Sequence, residues 1–219
     1  MSKVDRSVLQ ADGVRNAVRA AGFGHLLAAD AEIDASLQAT MASHPADSPV
    51  WVFGYGSLIW SPLMQHAERR VARLHGYHRG FYMWSRINRG TPEVPGLVLG
   101  LDRGGSCGGV VYRLDPASAD EDLRLLWRRE MVMAAYVPRW FHVATPTGPV
   151  RAIAFVVGRH FPTYAGRLTD AEIVAIARRA HGHYGSCAEY LEQTAAGLEA
   201  CGIVDRRLRR LARLLQLPG

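Results

Sequence analysis

The stretch Trp51-Val-Phe-Gly-Tyr-Gly-Ser-Leu-Ile-Trp60 carries an apolar strand directly into a turn that holds two glycines around Tyr55. Glycine reaches positive φ at little cost and lets a ligand approach the main chain closely. We therefore expect Gly54, Gly56 and the amides of Ser57 and Leu58 to form a concave donor surface for a carboxylate or a polarised carbonyl. A tight bend that binds no ligand is the alternative that this stretch leaves open.

The same turn lacks the marks of the common cofactor loops. It has neither the third glycine of a dinucleotide fingerprint nor the Gly-Lys-Ser/Thr of a phosphate loop, so we expect no cofactor. Ser57 also departs from the Gly-x-Ser-x-Gly pattern of a nucleophile elbow. A covalent role for Ser57 is kept only as an alternative.

A second feature is one acid on the apolar face of a predicted helix. The helix covers about 119–134 and is opened by Ser118-Ala-Asp-Glu121, a capping-box pattern. Helical spacing aligns one core-facing stripe, which consists of Leu123, Leu126, Trp127, Glu130, Met131 and Ala134. Glutamate is rarely buried without a partner, and desolvation raises its pKa from about 4.3 toward the range of about 6 to 7 that suits a general base. Glu130 is therefore the leading catalytic candidate, and a structural ion pair with an inward Arg79 or Arg86 is the alternative.

The remaining pattern predicts an α+β fold. Residues 1–48 are alanine-rich and helix-prone and end in a linker-like Ser43-His-Pro-Ala-Asp-Ser-Pro49, so we divide the chain into an N-terminal helical extension, 1–48, and a main domain, 49–219. Strand-like segments cover 50–55, 71–84 with a break near Gly76, 96–102, 107–114, 136–143 and 151–158. Asp102-Arg-Gly-Gly-Ser106 and Thr145-Pro-Thr-Gly-Pro149 both resemble hairpin connections, which favours antiparallel pairing. Three further helices close the chain. The first is capped at Thr169, the second follows Gly185-Ser186, and the third is basic and ends at Pro218. We expect a small, mixed, barrel-like sheet with flanking helices.

Composition limits the other function classes. The 219 residues are 48% hydrophobic, yet no apolar run approaches a membrane helix and the start Met-Ser-Lys-Val-Asp-Arg lacks a signal-peptide apolar region, so we expect a soluble cytoplasmic protein. Cys107, Cys187 and Cys201 form no Cys-x-x-Cys pair, which argues against both a disulfide framework and a zinc site. His181-Gly-His183 has no second ligand cluster, so we predict no metal.

The net charge of +6 is concentrated at the C-terminus, in Arg206, Arg207, Arg209, Arg210 and Arg213. We interpret these arginines as the solvated face of a helix whose leucines 208, 211, 214 and 215 face the core. Contact with nucleic acid or an anionic membrane is the alternative. We expect neither of these partners, and no protein partner.

Several motifs in one order resemble the ChaC-like γ-glutamylcyclotransferases, enzymes that act on glutathione. The similarity begins with Val52 to Trp60 and runs through about residue 200. It includes Gly76-Tyr-His-Arg-Gly-Phe81, Arg89-Gly90, Pro95-Gly96, Gly109-Val-Val-Tyr-Arg-Leu114, Arg129-Glu130, Tyr136, Tyr164-Ala-Gly166 and Glu189-Tyr-Leu191. The family fold is likewise a small mixed barrel with flanking helices.

The resemblance also implies roles. The acid of the Arg-Glu motif is the family's proton acceptor, which implies that role for Glu130. The segment that cradles the γ-glutamyl group corresponds to Val52, Phe53, Gly54, Tyr55, Gly56, Ser57 and Leu58. Arg79 and Arg89 are further candidates for binding substrate carboxylates, and Tyr164 for a pocket wall.

The implied reaction closes the γ-glutamyl unit into 5-oxoproline and releases the amine, Cys-Gly in the case of glutathione, without a cofactor. The small-molecule substrate is accordingly a γ-glutamyl compound. A non-catalytic module that senses such a metabolite is the alternative function.

Overall fold

A five-stranded mixed sheet forms the centre of the molecule, for which a computed structural model describes residues 6–46, 48–133 and 135–217. Its strands are β1 (Trp51–Gly54), β2 (His66–Ser85), β3 (Gly96–Leu114), β4 (Tyr136–Val143) and β5 (Val150–Val157). They lie in the order β2-β3-β1-β5-β4. The β1–β5 pair is parallel and the other three neighbouring pairs are antiparallel, so the prediction of a mixed sheet is confirmed.

The two outer strands of this sheet meet and close it. The Arg73 amide on β2 donates to the Ala144 carbonyl just beyond β4 at 2.8 Å, and the Ala144 amide returns a bond to Arg73 at 2.9 Å. These hydrogen bonds pair main-chain groups that an open sheet would leave at its edges. The sheet is therefore barrel-like, as the sequence predicts.

One predicted hairpin is wrong. The segment Asp102–Ser106 does not turn, because it lies inside the continuous strand β3 and pairs with β2. Gly104 and Gly105, at φ +103° and +67°, face the single residue Gly76, at φ +83°, across the ladder. Three glycines thus form a β-bulge that bends the long pair without breaking it. The break expected near Gly76 is this bulge.

The second predicted hairpin is confirmed. Val143 at the end of β4 pairs with Val150 at the start of β5. Between them the Gly148 amide donates to the Thr145 carbonyl at 3.1 Å, and the Thr145 hydroxyl donates to the Gly148 carbonyl at 2.6 Å. The connection is short and antiparallel, as the cluster of Pro, Thr and Gly predicts.

Seven α-helices surround the sheet within the described residues. They are α1 (Arg6–Gln10), α2 (Gly13–Ala20), α3 (Asp30–Met41), α4 (Ala119–Glu130), α5 (Asp170–Arg179), α6 (Cys187–Ala200) and α7 (Arg206–Gln216). Short 3-10 helices occupy Gly24–Leu26 and Ser57–Ile59, and a two-residue pair of strands, β6 (His181–Gly182) and β7 (Gly185–Ser186), precedes α6. Reciprocal caps begin α5 at Thr169 and α6 at Ser186, as expected.

Helix α4 differs from its prediction at both ends. The Ser118 hydroxyl donates to the Asp122 carboxylate at 2.7 Å instead of accepting from the Glu121 amide, so no capping box forms there. At the other end the helix stops at Glu130, and Met131 begins a turn. Ala134, expected at the end of this helix, lies outside the described residues.

The basic C-terminal helix packs as predicted. Leu208 and Leu211 are buried and Leu214 and Leu215 are partly buried. On its outer side Arg207 and Arg210 both pair with Asp170, and Arg209 pairs with Glu199. No helix of the described residues combines the length and apolarity needed to cross a membrane.

The N-terminal extension packs against the main domain in two places. Ile33 on α3 joins the main core, where the Trp127 indole also donates to the Ser36 hydroxyl at 3.2 Å. Helices α1 and α2 contribute Leu9, Val14 and Val18 to a second apolar cluster. The described part of the extension is helical, as expected, and residues 1–5 lie outside the described residues.

The closest approach of β1 to β3 depends on Gly109. A Cβ added to Gly109 would lie 2.5 Å from the Gly54 carbonyl oxygen and 2.6 Å from the Phe53 ring. We expect Gly109→Ala to lower the free energy of unfolding by about 1 to 3 kcal/mol, because the strands must separate under the turn. Urea unfolding monitored by tryptophan fluorescence measures the change.

Gly24→Ala provides the control, since its added Cβ would meet its nearest neighbour at an ordinary 3.6 Å. It should stay within about 0.5 kcal/mol of the wild type. Equal stabilities of the two variants would show that the β1–β3 approach is not tightly constrained.

Candidate active site

A cleft of about 310 Å³ opens where α4 ends beside the glycine turn. Its walls come from the turn, the β2–β3 connection, the end of α4 and one face of α6. The polar and aromatic groups that the argument uses are Ser57, Arg89, Arg129, Glu130, Tyr136, Glu189, Tyr190 and Gln193. The cleft thus collects residues that are far apart in the sequence.

Glu130 is the last residue of α4 and projects into this cleft with its side chain only 15% exposed. Burial raises the pKa of its carboxyl above the usual value, and the Arg129 guanidinium, 3.2 Å away, opposes that rise. A helix C-terminus also disfavours a negative charge. The structure therefore provides a desolvated carboxylate whose proton affinity suits acid–base chemistry.

The neighbour Arg129 links this acid to the glycine turn. Its Nη2 donates to the Ser57 hydroxyl at 2.6 Å and its Nη1 to the Ser61 carbonyl at 2.9 Å, while Nε faces Glu130. The expected ion-pair alternatives, Arg79 and Arg86, are wrong as partners of Glu130. One guanidinium thus fixes the distance between the carboxylate and the turn.

The glycines of the turn do not use the positive φ that the sequence analysis considered for them. Gly56 has φ −136°, not a positive value. A Cβ added to Gly56 would lie 3.2 Å from the Tyr190 hydroxyl, so a larger residue there requires this side chain to shift by a few tenths of an ångström. The Tyr55 hydroxyl donates to the Phe155 carbonyl at 2.7 Å, which ties the turn to β5.

Three buried tyrosines enclose the acid. Burial raises the pKa of Tyr55 and Tyr136 well above the usual value and that of Tyr190 to about 12, and the charge of Glu130 acts in the same direction on all three. The Tyr136 hydroxyl donates to the Leu99 carbonyl at 2.9 Å, and the Tyr190 oxygen accepts from the Leu99 amide at 3.2 Å. These neutral, anchored phenols make the surroundings of Glu130 dry and rigid.

The Arg89 side chain lines the cleft, and its guanidinium packs over two aromatic rings. Its guanidinium lies 5.4 Å from the centre of the Tyr190 ring and 5.9 Å from that of Trp60. Burial lowers its pKa, and no carboxylate in the described part of the chain forms an ion pair with it. Its charge is therefore available to an anionic ligand.

Arg79 lies outside the cleft, beneath the turn. Its Nη1 donates to the Tyr55 carbonyl at 2.6 Å, its Nη2 to the Gly108 carbonyl, and its Nε to the Asp205 carboxylate at 2.8 Å. The side chain is 4% exposed. The structure therefore gives Arg79 a supporting position instead of the predicted place among the cleft residues.

Other predicted site residues also lie behind the cleft surface. Val52 and Phe53 are fully buried in β1, and Leu58 packs into the main core. The Tyr164 hydroxyl lies 3.4 Å from the Asp102 carboxylate and its ring lies beside Tyr82. Tyr164 packs with cleft residues such as Met83 but does not itself line the cleft. These residues position the turn and the strand edge without facing the cleft.

Three cleft residues were missed by the sequence analysis. Asn88 Oδ1, Thr163 Oγ1 and Gln193 Oε1 are buried polar atoms for which the described residues supply no hydrogen-bond partner. A buried polar atom without a partner is costly, so such atoms mark places where a ligand can complete the pairing. Only Gln193 carried a signal, since it lies one helical turn beyond the Glu189-Tyr190 motif.

The described residues contain no group of three or more His, Cys, Asp or Glu placed to hold a metal ion. The cysteines 107, 187 and 201 are all free thiols. The groups that the cleft offers to a ligand are therefore the carboxylates of Glu130 and Glu189, cations, phenols, hydroxyls and amides.

A dry carboxylate held against a main-chain turn in a small mixed barrel is the arrangement of an acid–base enzyme. Residues 50–217 match the family model described as ChaC-like protein, and the chain belongs to that family. It is 38% identical over 178 residues to the glutathione-specific γ-glutamylcyclotransferase of Escherichia coli K12, covering 81% of this chain and 77% of that one. It is 33% identical over 158 residues to glutathione-specific γ-glutamylcyclotransferase 1 of Mus musculus, covering 70% and 71%.

Solved structures show the same fold. A yeast γ-glutamyl cyclotransferase specific to glutathione superposes with a TM-score of 0.70 at 24% identity, covering 77% of this chain and 96% of that one. YkqA from Bacillus subtilis gives a TM-score of 0.52 at 18% identity, covering 83% and 60%.

The contacts of Arg79 predict its contribution to stability. Arg79→Met leaves two main-chain carbonyls and the Asp205 carboxylate without their donor. We expect the free energy of unfolding to fall by about 3 kcal/mol, since removing one member of a buried pair strands the other. Chemical denaturation gives the value.

Arg73→Met on the same strand is the matched control, because Arg73 is exposed and its side chain bonds, among the residues that the structure describes, only the Ser106 hydroxyl. Its effect should stay below about 0.5 kcal/mol. An Arg79 variant as stable as this control would reject the supporting role and restore Arg79 as a candidate ligand for substrate.

Proposed function

We propose that this protein is a γ-glutamylcyclotransferase that cleaves glutathione into 5-oxoproline and Cys-Gly. The observation that carries the proposal is the buried Glu130 carboxylate, joined to the Ser57 turn through Arg129. The names of the relatives from Escherichia coli and Mus musculus support glutathione as the substrate. Free cysteines and a substrate of the reducing cytosol support a cytoplasmic location.

The chemistry is an intramolecular aminolysis. The α-amino group of the γ-glutamyl unit has a pKa near about 8, so it must lose a proton before its nitrogen can attack the γ-carbonyl carbon. Glu130 accepts that proton. The new C–N bond closes a five-membered ring, the bond from the γ-carbon to the cysteine nitrogen breaks, and Glu130 returns the proton to that leaving nitrogen. The ring nitrogen loses a second proton as it becomes a lactam N–H, and this proton also goes to the departing amine, which leaves as an ammonium group.

The raised pKa of Glu130 suits both halves of this cycle. A carboxylate of ordinary acidity holds a proton too weakly to take it from an ammonium group. Burial of Glu130 strengthens its proton affinity, while the Arg129 guanidinium favours its ionised form. One side chain can therefore serve first as base and then as acid.

Binding is assigned to the groups around the acid. We assign the grip on the γ-glutamyl unit to the turn at Ser57, the residue of the glycine turn that lines the cleft, where a donor aimed at the developing oxyanion is typically worth about 3 kcal/mol. Arg89, which has no acidic partner in the described residues, suits a substrate carboxylate. The unpaired atoms of Asn88 and Gln193 suit donors of the substrate.

A covalent role for Ser57 is disfavoured by its contact. The Ser57 hydroxyl accepts a hydrogen bond from the cationic Arg129, which cannot take a proton from it. Activation of a serine needs a neighbouring base. Ser57 is therefore a positioning residue in this proposal.

Glu130→Gln tests the proposal directly. It keeps the shape of the side chain but removes the proton acceptor, so release of 5-oxoproline from glutathione should fall at least about a hundredfold. Mass spectrometry of the product gives the rate. Because burial disfavours the ionised carboxylate in the folded protein, the variant should be at least as stable as the wild type.

Asp120→Asn, an exposed acid on the same helix, is the matched control and should retain wild-type turnover. Equal rates for the Gln variant and this control would reject Glu130 as the base. Saturable glutathione binding by the wild type without any product would instead establish the binding-only alternative.

The pH dependence provides an independent test. The ionised Glu130 is the active base, so kcat/KM should decline as the pH falls through the raised pKa, above the ordinary glutamic acid value of 4.5. Arg129→Met removes the charge that lowers this pKa, so the acid limb should move to higher pH. A limb that stays in place in this variant, or lies at an ordinary carboxyl value, would contradict the assignment.

A further inference from the structure

The N-terminal extension reaches the cleft although it precedes the family-matched region. The match covers residues 50–217, whereas Val14 and Val18 on α2 line the same cleft as Glu130. Both valines are almost fully buried, at 4% and 1% exposure. The extension therefore supplies part of the cleft wall.

An apolar cluster holds α1 and α2 in this position. The extension contributes three residues to this cluster, Leu9, Val14 and Val18. They pack with four residues from the rest of the chain, Ile87, Leu125, Val132 and Tyr184. Of these seven, Val14, Val18, Ile87, Val132 and Tyr184 also line the cleft. The same residues therefore hold the extension in place and form part of the surface of the cleft.

Polar contacts with both ends of α4 also hold the N-terminal extension in place. At its start, Arg6 pairs with the fully buried Asp122 carboxylate. Beyond its end, the Ala28 amide donates to the Val132 carbonyl at 3.1 Å, two residues after Glu130. The Arg15 guanidinium in turn donates to the Ala28 carbonyl at 2.9 Å. These contacts fix the position of the extension relative to Glu130, the catalytic candidate at the end of α4.

The cleft therefore has two chemically different parts. The part that contains Ser57, Arg129, Glu130 and Tyr190 is polar and belongs with the glycine turn. The part built from the apolar cluster presents aliphatic side chains and the Tyr184 ring, with Arg86 lining the cleft beside Ile87. The ammonium and α-carboxylate of a γ-glutamyl unit require the polar part, so the group attached at the γ-carbonyl faces the apolar part.

We propose that Val14 and Val18 form a specificity wall for the side chain of the residue joined to the γ-glutamyl unit. The wall selects γ-glutamyl compounds in which that side chain is small and uncharged, as the thiol-bearing side chain of cysteine is. The proposal rests on the proposed function, because it concerns the leaving part of that substrate. A single methylene in such a pocket changes relative kcat/KM by about 10- to 200-fold.

The test compares γ-glutamyl-leucyl-glycine with γ-glutamyl-alanyl-glycine, two substrates that differ from glutathione only in the central side chain. The measured quantity is the ratio of their kcat/KM values, which does not depend on the fraction of folded enzyme. Val14→Ala/Val18→Ala removes four methyl groups from the wall and should raise the Leu-to-Ala ratio at least about tenfold. Val18→Ile adds one methylene and should lower the ratio.

Leu9→Ala is the matched control. Leu9 belongs to the same apolar cluster and is 3% exposed, but it does not line the cleft. Its loss weakens the docking of the extension without changing the wall, so the ratio should stay within about twofold of the wild type. A thermal unfolding curve for each variant records the loss of docking separately.

The outcomes separate the two proposals. If the wild type releases 5-oxoproline and the ratio is the same in every variant, the specificity wall is overturned and the proposed function stands. If Leu9→Ala shifts the ratio as much as the valine variants do, docking and not the wall sets the preference, which also overturns the assignment. If the wild type releases no 5-oxoproline from any γ-glutamyl compound, glutathione included, both proposals fail.

Discussion

The contact of Arg129 with Glu130 and the glycine turn is the interaction on which the site depends. Nη2 and Nη1 of Arg129 join the end of α4 to Ser57 and Ser61, and its Nε forms the ion pair with Glu130. A buried carboxylate needs a nearby cation, yet a strong ion pair would lower its pKa and spoil it as a base. The Arg129 guanidinium also bonds two serines. It therefore lowers the pKa of Glu130 by less than burial raises it, and the net effect is a raised pKa.

A second arginine supports the turn from the opposite side. Arg79 donates to the Tyr55 carbonyl within the turn and to the Gly108 carbonyl of β3. The two guanidiniums thus bond to opposite sides of one short segment, where flexible main chain would otherwise be expected. Preorganisation of this kind matters for catalysis, since donors already in place need not rearrange as charge develops.

The sequence predicted local features well and long-range ones poorly. Apolar periodicity on α4 was enough to place Glu130 inside, and turn residues were enough for the β4–β5 hairpin. The β3 bulge was mistaken for a turn because Gly104 and Gly105 are typical of both, and only the pairing with Gly76 on β2 distinguishes them. Arg79 was misplaced for a related reason: its partner Asp205 lies 126 residues away, and no local pattern reports such a contact.

The Asp205 carboxylate serves two structures at once. One oxygen caps α7 by accepting from the Leu208 amide, and the other accepts from Arg79 beneath the turn. During translation the Tyr55 segment leaves the ribosome about 150 residues before Asp205 does. The nascent barrel therefore lacks the anion that holds Arg79 against the turn until α7 begins to emerge, so the support of the turn is completed only when α7 has been synthesised.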